Sequence, residues 1–349
     1  MQSLISFLLV IGPLIFIHEL GHFLVAKWRG VRVERFSLGY PPRLFGFQWG
    51  DTDYCISAVP LGGYVKMAGE NPEEPSEGVD DELTSKSPFS RALIIIAGPL
   101  SNYVLAFFLY VTILTIGGTM VVVDNGLIVG DVTPDWPAEA AGLERGDRML
   151  DVDDLPLANF EALREYVEPR ADSTINLRVE RGGDTLVVAV IPRSTPDGRT
   201  GIVSGKIGIS PTTVYEPVGL IAAVSDGASI TWQNTAMVGR FFIRFITGQE
   251  SPKNIGGPLF IATIAGKVAN QGWRSFLGFM ALLSLNLAIL NILPIPVLDG
   301  GQLLFILIES IRGKPLSLKS RLRVQQVGMA FLLVLIIFVT INDLMRAFS

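Results

Sequence analysis

Four apolar stretches, each long enough to cross a bilayer, decide most of what this chain can fold into. A spanning helix needs about 20 predominantly apolar residues, because a helix satisfies its own backbone hydrogen bonds where no water can. Met1 to Ile17 carries no charge and continues through His18, Glu19 and His22 to Ala26; Ala92 to Met120, Ser275 to Leu298 and Val324 to Asn342 follow. The first stretch lacks the charged leader and small-residue cleavage site of a secretory signal, so it is expected to be retained. The expected fold is a polytopic α-helical membrane protein with four transmembrane helices. Composition agrees: 49% of the 349 residues are hydrophobic and 17% charged, against roughly a quarter charged in soluble domains. With 28 basic and 33 acidic residues the net charge is −5, so no basic field exists to hold nucleic acid. The single cysteine, Cys55, excludes an internal disulfide.

Basic residues flank these stretches unevenly, and short loops rich in Lys and Arg stay cytoplasmic. Lys27, Arg29, Arg32 and Arg35 follow the first span, Arg91 precedes the second, and Arg312, Lys314, Lys319, Arg321 and Arg323 separate the third from the fourth. Both termini and the segment from about 119 to 272 are then expected outside. The chain divides into residues 1–120 (two spans and a cytoplasmic loop), 121–211 (a soluble α+β domain), 212–272 (an interfacial helix and linker) and 273–349 (two spans). In the loop, Leu44 to Met67 reads as a β-hairpin: Phe45, Phe47 and Trp49 alternate before a Gly50-Asp51 turn, and Tyr54, Ile56 and Ala58 alternate after it. The stretch from Glu70 to Glu82, with Pro72 and Pro75, is an acidic solvated loop. Pro217 to Thr247 sets Trp232, Phe241, Phe242, Phe245 and Ile246 beside Arg240 and Arg244, which suits a helix at the membrane surface.

Both histidines of the chain fall in His18-Glu19-Leu20-Gly21-His22. On a helix, residues four apart share a face, so two imidazoles can grip one Zn²⁺ while Glu19 reaches a zinc-bound water as general base. Charged and imidazole groups at membrane depth cost several kcal/mol unless paired or metal-bound, which makes a purely structural role costly here. A catalytic zinc needs three protein ligands. With no third histidine, the remaining ligand must be a carboxylate, and Asp299 in Asn291-Ile-Leu-Pro294-Ile-Pro296-Val-Leu-Asp299-Gly300-Gly301 ends a different apolar span. A catalytically idle adaptor or a metal transporter would instead use a closed or multi-carboxylate site; Glu19, a non-ligand acid, favours hydrolysis.

Five motifs occur in order: His18 to His22, Phe36-Ser37-Leu38-Gly39, Pro60-Leu61-Gly62-Gly63-Tyr64-Val65-Lys66-Met67, Ala97-Gly98-Pro99-Leu100-Ser101-Asn102, and Asn291 to Gly301. Together they make the chain resemble, over almost its whole length, the site-2 protease family of intramembrane zinc metalloproteases, of the bacterial regulator-of-sigma-E protease type. The resemblance implies His18, His22 and Asp299 as ligands of one Zn²⁺ per chain and Glu19 as the catalytic residue. It implies that Asn286 and Asn291 hold substrate or polarise the scissile carbonyl; interhelical hydrogen bonding is the other role open to them. It makes the hairpin a membrane-associated β-loop, where Gly62, Gly63 and Tyr64 would meet a substrate added as a strand. The implied substrates are transmembrane proteins already trimmed by another protease, such as anti-sigma factors or remnant signal peptides. The setting is the bacterial inner membrane and its lipid, with the active site toward the cytoplasm. The resemblance leads us to expect histidine where Gln302 stands.

Pro137-Ala138-Glu139-Ala140-Ala141-Gly142-Leu143-Glu144-Arg145-Gly146-Asp147 resembles the hallmark of bacterial PDZ domains. In the circularly permuted pattern of this family the peptide-binding loop is Gly205-Lys206-Ile207-Gly208-Ile209 and the groove helix lies near Phe160 to Val167. The roughly 90 residues available suffice for one such domain, on the periplasmic side.

Overall fold

The structure, a computed structural model, describes residues 2–70, 78–123, 127–196, 203–251 and 255–348. Pro72 and Pro75 of the acidic stretch lie outside these residues. The chain folds as two compact units, Met1–Ile116 with Gly219–Ser349, and Gly117–Val218. In order along the chain come helix α1 (Gln2–Trp28), strands β1 (Val33–Trp49) and β2 (Thr52–Met67), and helix α2 (Pro88–Gly117). Then follow β3 (Thr119–Val122), β4 (Val129–Val132), α3 (Pro137–Ala140), β5 (Arg148–Val152), β6 (Leu155–Pro156) and α4 (Phe160–Val167). Strands β7 (Ile175–Arg181), β8 (Asp184–Val190), β9 (Arg193–Pro196), β10 (Val203–Lys206), β11 (Ile209–Pro211) and β12 (Thr213–Glu216) complete the second unit. The chain returns with α5 (Leu220–Ile246), α6 (Pro258–Asn270), α7 (Trp273–Ile292), α8 (Asp299–Arg312) and α9 (Leu318–Phe348).

Among the described residues, α1, α2, α7 and α9 are the helices long and apolar enough to cross a membrane. They meet through small residues, because lipid supplies no hydrophobic force between helices and close backbone packing must do the work. A Cβ at Gly21 would collide with the Ala97 carbonyl, so α1 and α2 touch here. Higher up, Val10 and Leu14 pack with Ala265 and Met280, while Ala106 and Tyr110 pack with Ala281 and Leu285. Helix α5, expected at the membrane surface, runs along α2: Gly227 lies over Val111, Asn234 donates to the Tyr110 hydroxyl at 2.9 Å, and Thr235 donates to that of Tyr103. Residue numbers rise along one helix as they fall along the other, so the two are antiparallel. The buried residues Ala223, Gly227 and Thr231 recur every four, the stripe a close helix contact requires.

The loop between α1 and α2 is more than the simple hairpin over 44–67. The turn at Gly50-Asp51 is as expected, but Arg35 pairs with both Asp53 and Lys66, and Leu38 with both Ile56 and Gly63. Strands β1 and β2 are each bent, and the bent halves make a four-run sheet in the order 43–49, 52–57, 33–38, 63–67. Pro41 and Pro42, which cannot donate to a ladder, mark the bend in β1. The run from Gly63 to Met67 is an edge, with no strand on its outer side among the described residues.

The second unit is α+β. A sheet ordered β6-β5-β7-β8 is joined by the pairs β4–β11, β9–β10 and β3–β12. Its core gathers Val129, Ala138, Leu143, Met149, Leu163, Ile175, Leu177 and Ile207. Asp147, 1% exposed, ties the hallmark loop to β7 by accepting from Arg181 Nε at 2.6 Å, from Arg181 Nη2 at 2.7 Å and from the Glu144 N–H.

Candidate metal centre

Helix α1 presents His18 and His22 on one face, both buried, with Nε2 atoms 3.2 Å apart. The prolines of 294–296 end the helical course after α7, and the chain re-enters helix at Asp299, the first residue of α8. Asp299 Oδ2 then lies 3.1 Å from His18 Nε2 and 3.6 Å from His22 Nε2. These three atoms are the one group of three or more His, Cys, Asp or Glu residues among those described that could hold a metal ion. Zinc bonds of about 2.0–2.1 Å at tetrahedral angles set ligand atoms roughly 3.3–3.4 Å apart, and the observed separations bracket that value. Two imidazole lone pairs and a buried carboxylate facing one another are tolerable only around a shared cation or proton, so the donor set fits zinc.

Their second nitrogens are held from α2. His22 Nδ1 lies 2.8 Å from the Ile94 carbonyl, which can only accept, so Nδ1 carries the proton and Nε2 is free for a metal. His18 Nδ1 meets the amide of Asn102, a residue with no solvent exposure, at 3.4 Å. The Asn102 Oδ1 atom is buried without a donor, and turning the amide places it on His18 Nδ1–H, freeing Nε2 there too. Gly98 completes the cradle, since a Cβ there would run into His22 Nε2. Asn102, Gly98 and the Ile94 carbonyl received no role from the sequence. The available signals were the Ala97–Asn102 motif, to which no role was attached, and an asparagine within an apolar span, which asks for a buried partner.

Glu19 stands outside the ligand cluster, its Oε2 accepting from the Val65 N–H of the edge run at 3.1 Å. A Cβ at Gly63 would lie 3.7 Å from Glu19 Cγ, so Gly63 and Glu19 are neighbours, while Gly62 faces Tyr40 and Ile15 and Tyr64 stacks on Tyr40. Asn291 Nδ2 lies 3.5 Å from His18 Nε2. Asn286, five residues earlier on α7, lines an apolar cavity of about 460 Å³ with Leu14, Phe242, Leu287 and Leu290. In the second unit, Gly205, Ile207, Gly208 and Ile209 line a groove of about 690 Å³ opposite Phe160, Leu163 and Val167 of α4. The Ile207 side chain itself is buried in that unit's core, and Gly208, at φ +84°, packs against Trp136.

A two-histidine, one-carboxylate donor set beside a glutamate outside it, in a chain with four helices apolar enough to cross a membrane, is the arrangement a membrane metallohydrolase requires. Residues 6–335 match Peptidase family M50, and the chain belongs to this family, that of the site-2 proteases. It is a multi-pass zinc metalloprotease whose substrates are membrane proteins. Its relatives include a protein of Rhizobium meliloti (strain 1021) named as a zinc metalloprotease, 35% identical over 97% of this chain and 95% of that one. One of Nostoc sp. so named is 36% identical over 98% and 96%. The zinc metalloprotease RasP of Geobacillus kaustophilus is 29% identical over 100% and 99%. A solved PDZ domain of an SdrC-like protein from Listeria monocytogenes aligns at 23% identity with a TM-score of 0.22, covering 26% of this chain and 90% of that one.

Proposed function

We propose that this protein hydrolyses peptide bonds inside transmembrane segments of pre-trimmed membrane proteins. One Zn²⁺ per chain is held by His18, His22 and Asp299, and Glu19 is the general base. The observation that carries the reading is the pairing of a three-ligand donor set at 3.1–3.6 Å with an adjacent carboxylate that is not a member of it. When bound, zinc supplies Lewis acidity toward water and the scissile carbonyl. Glu19 takes the proton of the attacking water and returns it to the leaving amine; the Val65 N–H fixes the carboxylate meanwhile. Asn291, beside His18, is placed to donate to the carbonyl oxygen as it gains charge.

A helical substrate hides its carbonyls in its own hydrogen bonds, so it must be unwound before cleavage. The unpaired edge at Gly62, Gly63 and Tyr64 receives it as an added strand, with Glu19 alongside. The cavity at Asn286 takes the apolar flank of the segment. The second unit is read as a PDZ domain in the periplasm, and the protein as one of the bacterial inner membrane. Its substrates are then of the kind anti-sigma factors and remnant signal peptides represent. The test reconstitutes purified protein in lipid vesicles with a reporter carrying one apolar transmembrane segment. Cleavage within that segment, abolished by a zinc chelator and restored by Zn²⁺, is expected. Cleavage confined to soluble portions of the reporter would overturn the reading.

A further inference from the structure

The metal-bearing face of α8 continues past Asp299. At 3.6 residues per turn, Asp299, Gln302, Ile306 and Glu309 fall within an arc of about 80°. At its far end Glu309 is nearly buried and accepts from Arg91 Nη1 of α2 at 3.1 Å; side-chain exposure is 15% for Arg91 and 11% for Glu309. The second Glu309 oxygen accepts from the Leu316 N–H of the turn that follows α8. Beside Arg91 lies a cavity of about 10 Å³, room for one water, lined also by Glu70, Gln302, Phe305 and Arg321. Arg321 stacks over Phe305, and its Nε is buried with no protein acceptor.

One turn of α2 thus does two things. Arg91 holds α8 through Glu309, and Ile94, three residues on, holds His22 through its carbonyl. A helix held only at its first residue and by apolar packing can rotate about its axis, and rotation carries Asp299 off the histidines. An ion pair buried this deeply fixes direction as well as distance, because leaving either charge alone in the apolar interior costs several kcal/mol.

We propose that Arg91 and Glu309 are positioning residues of the metal site. Their ion pair sets the rotation of α8 against α2, and with it the place where Asp299 presents its carboxylate to His18 and His22. The inference rests on those three residues being the ligands. It assigns to a charged pair about three turns from the metal the orienting role that groups bonded to a ligand usually have.

The test loads metal-free full-length protein with Co²⁺ in detergent and reads affinity by chelator competition and ligand geometry by visible absorption. Glu309→Gln and Arg91→Met should each weaken Co²⁺ by about tenfold, the low end of what supporting groups contribute, and alter the absorption. Arg91→Lys, which keeps the charge, should stay within about threefold of the parent. Arg312→Gln, an exposed charge on the same helix, should change nothing. Should a single variant unfold on its stranded charge, the double change Arg91→Met with Glu309→Met strands none and stays measurable; it too should bind Co²⁺ more weakly. Parental affinity and absorption in Glu309→Gln or in the double variant would overturn the proposal and leave the ligand assignment intact. A parent protein that binds Co²⁺ equally well after Asp299→Ala would instead overturn the ligand assignment.

Discussion

Asn102 and the Ile94 carbonyl hold the two histidines of the centre from α2. His18, Glu19 and His22 are legible in sequence because one helical turn brings them together, and Asp299 because a carboxylate beside prolines and paired glycines breaks an apolar run. Asn102 and Ile94 reach the histidines from 84 and 72 residues away, which no local period reveals. Removing the amide while keeping the volume, as in Asn102→Leu, should weaken zinc about 10- to 100-fold in chelator competition, leaving the helical circular dichroism unchanged. Gly98→Ala should act more severely, since its methyl group occupies the space of His22 Nε2. Asp299→Ala should lose most of the zinc together with activity, and elemental analysis of the purified variant decides it.

Among the elements, the bent sheet differs most from the sequence reading. Alternation in Phe45–Trp49 and Tyr54–Ala58 located one turn correctly. Periodicity has no means, however, of showing that 33–38 would sit between two runs of the same returning strand. The edge that results predicts a phenotype for Gly63→Val. A Cβ there would lie 2.6 Å from the Ser37 carbonyl, pushing the edge run out of line. Cleavage of the reporter should fall at least about tenfold while zinc content stays at the parental level. In the second unit nothing in the sequence marked Asp147 as the residue that ties the loop before β5 to β7. Burial pushes the Asp147 carboxyl up, yet the Arg181 hydrogen bonds and the Glu144 N–H outweigh it and hold it below the ordinary 3.8. A depressed value means that the pair stabilises fully above about pH 4 and that this is lost as pH falls through the folded-state value. Hydrogen exchange at Leu177 and Val179, corrected for intrinsic rates, should therefore report opening that becomes easier below about pH 4. Asp147→Asn should remove that dependence and cost about 1–3 kcal/mol near neutrality. The groove's loop residue Ile207 is a poor probe of peptide binding, because it belongs to the core; Ile207→Ala should cost about 2–5 kcal/mol through the cavity it leaves.

At the scale of the whole molecule, the proposed membrane orientation and the proposed sorting of substrates can each be tested through charge placement and connectivity. On the proposed orientation, the basic flanks put the His18–His22 end of α1 and the start of α8 on the cytoplasmic side. A phosphatase active only in the periplasm should then be silent when fused after Lys86 or Lys314 and active after Arg193. The paired strands β3 and β12 bring Val122 opposite Thr213, so residues 123–212 can be replaced by a short glycine turn. If the excised unit screens substrates by bulk, the shortened protein should cleave substrates whose outside domains are intact; continued rejection of them would remove the unit as the filter. The most direct measurement of the chemistry is zinc content and reporter cleavage together in purified Glu19→Gln. Near-stoichiometric zinc with cleavage abolished is the expected result, because Glu19 lies beside the ligand cluster without joining it. Cleavage that persists, or zinc lost along with it, would contradict the assignment of Glu19 as the general base.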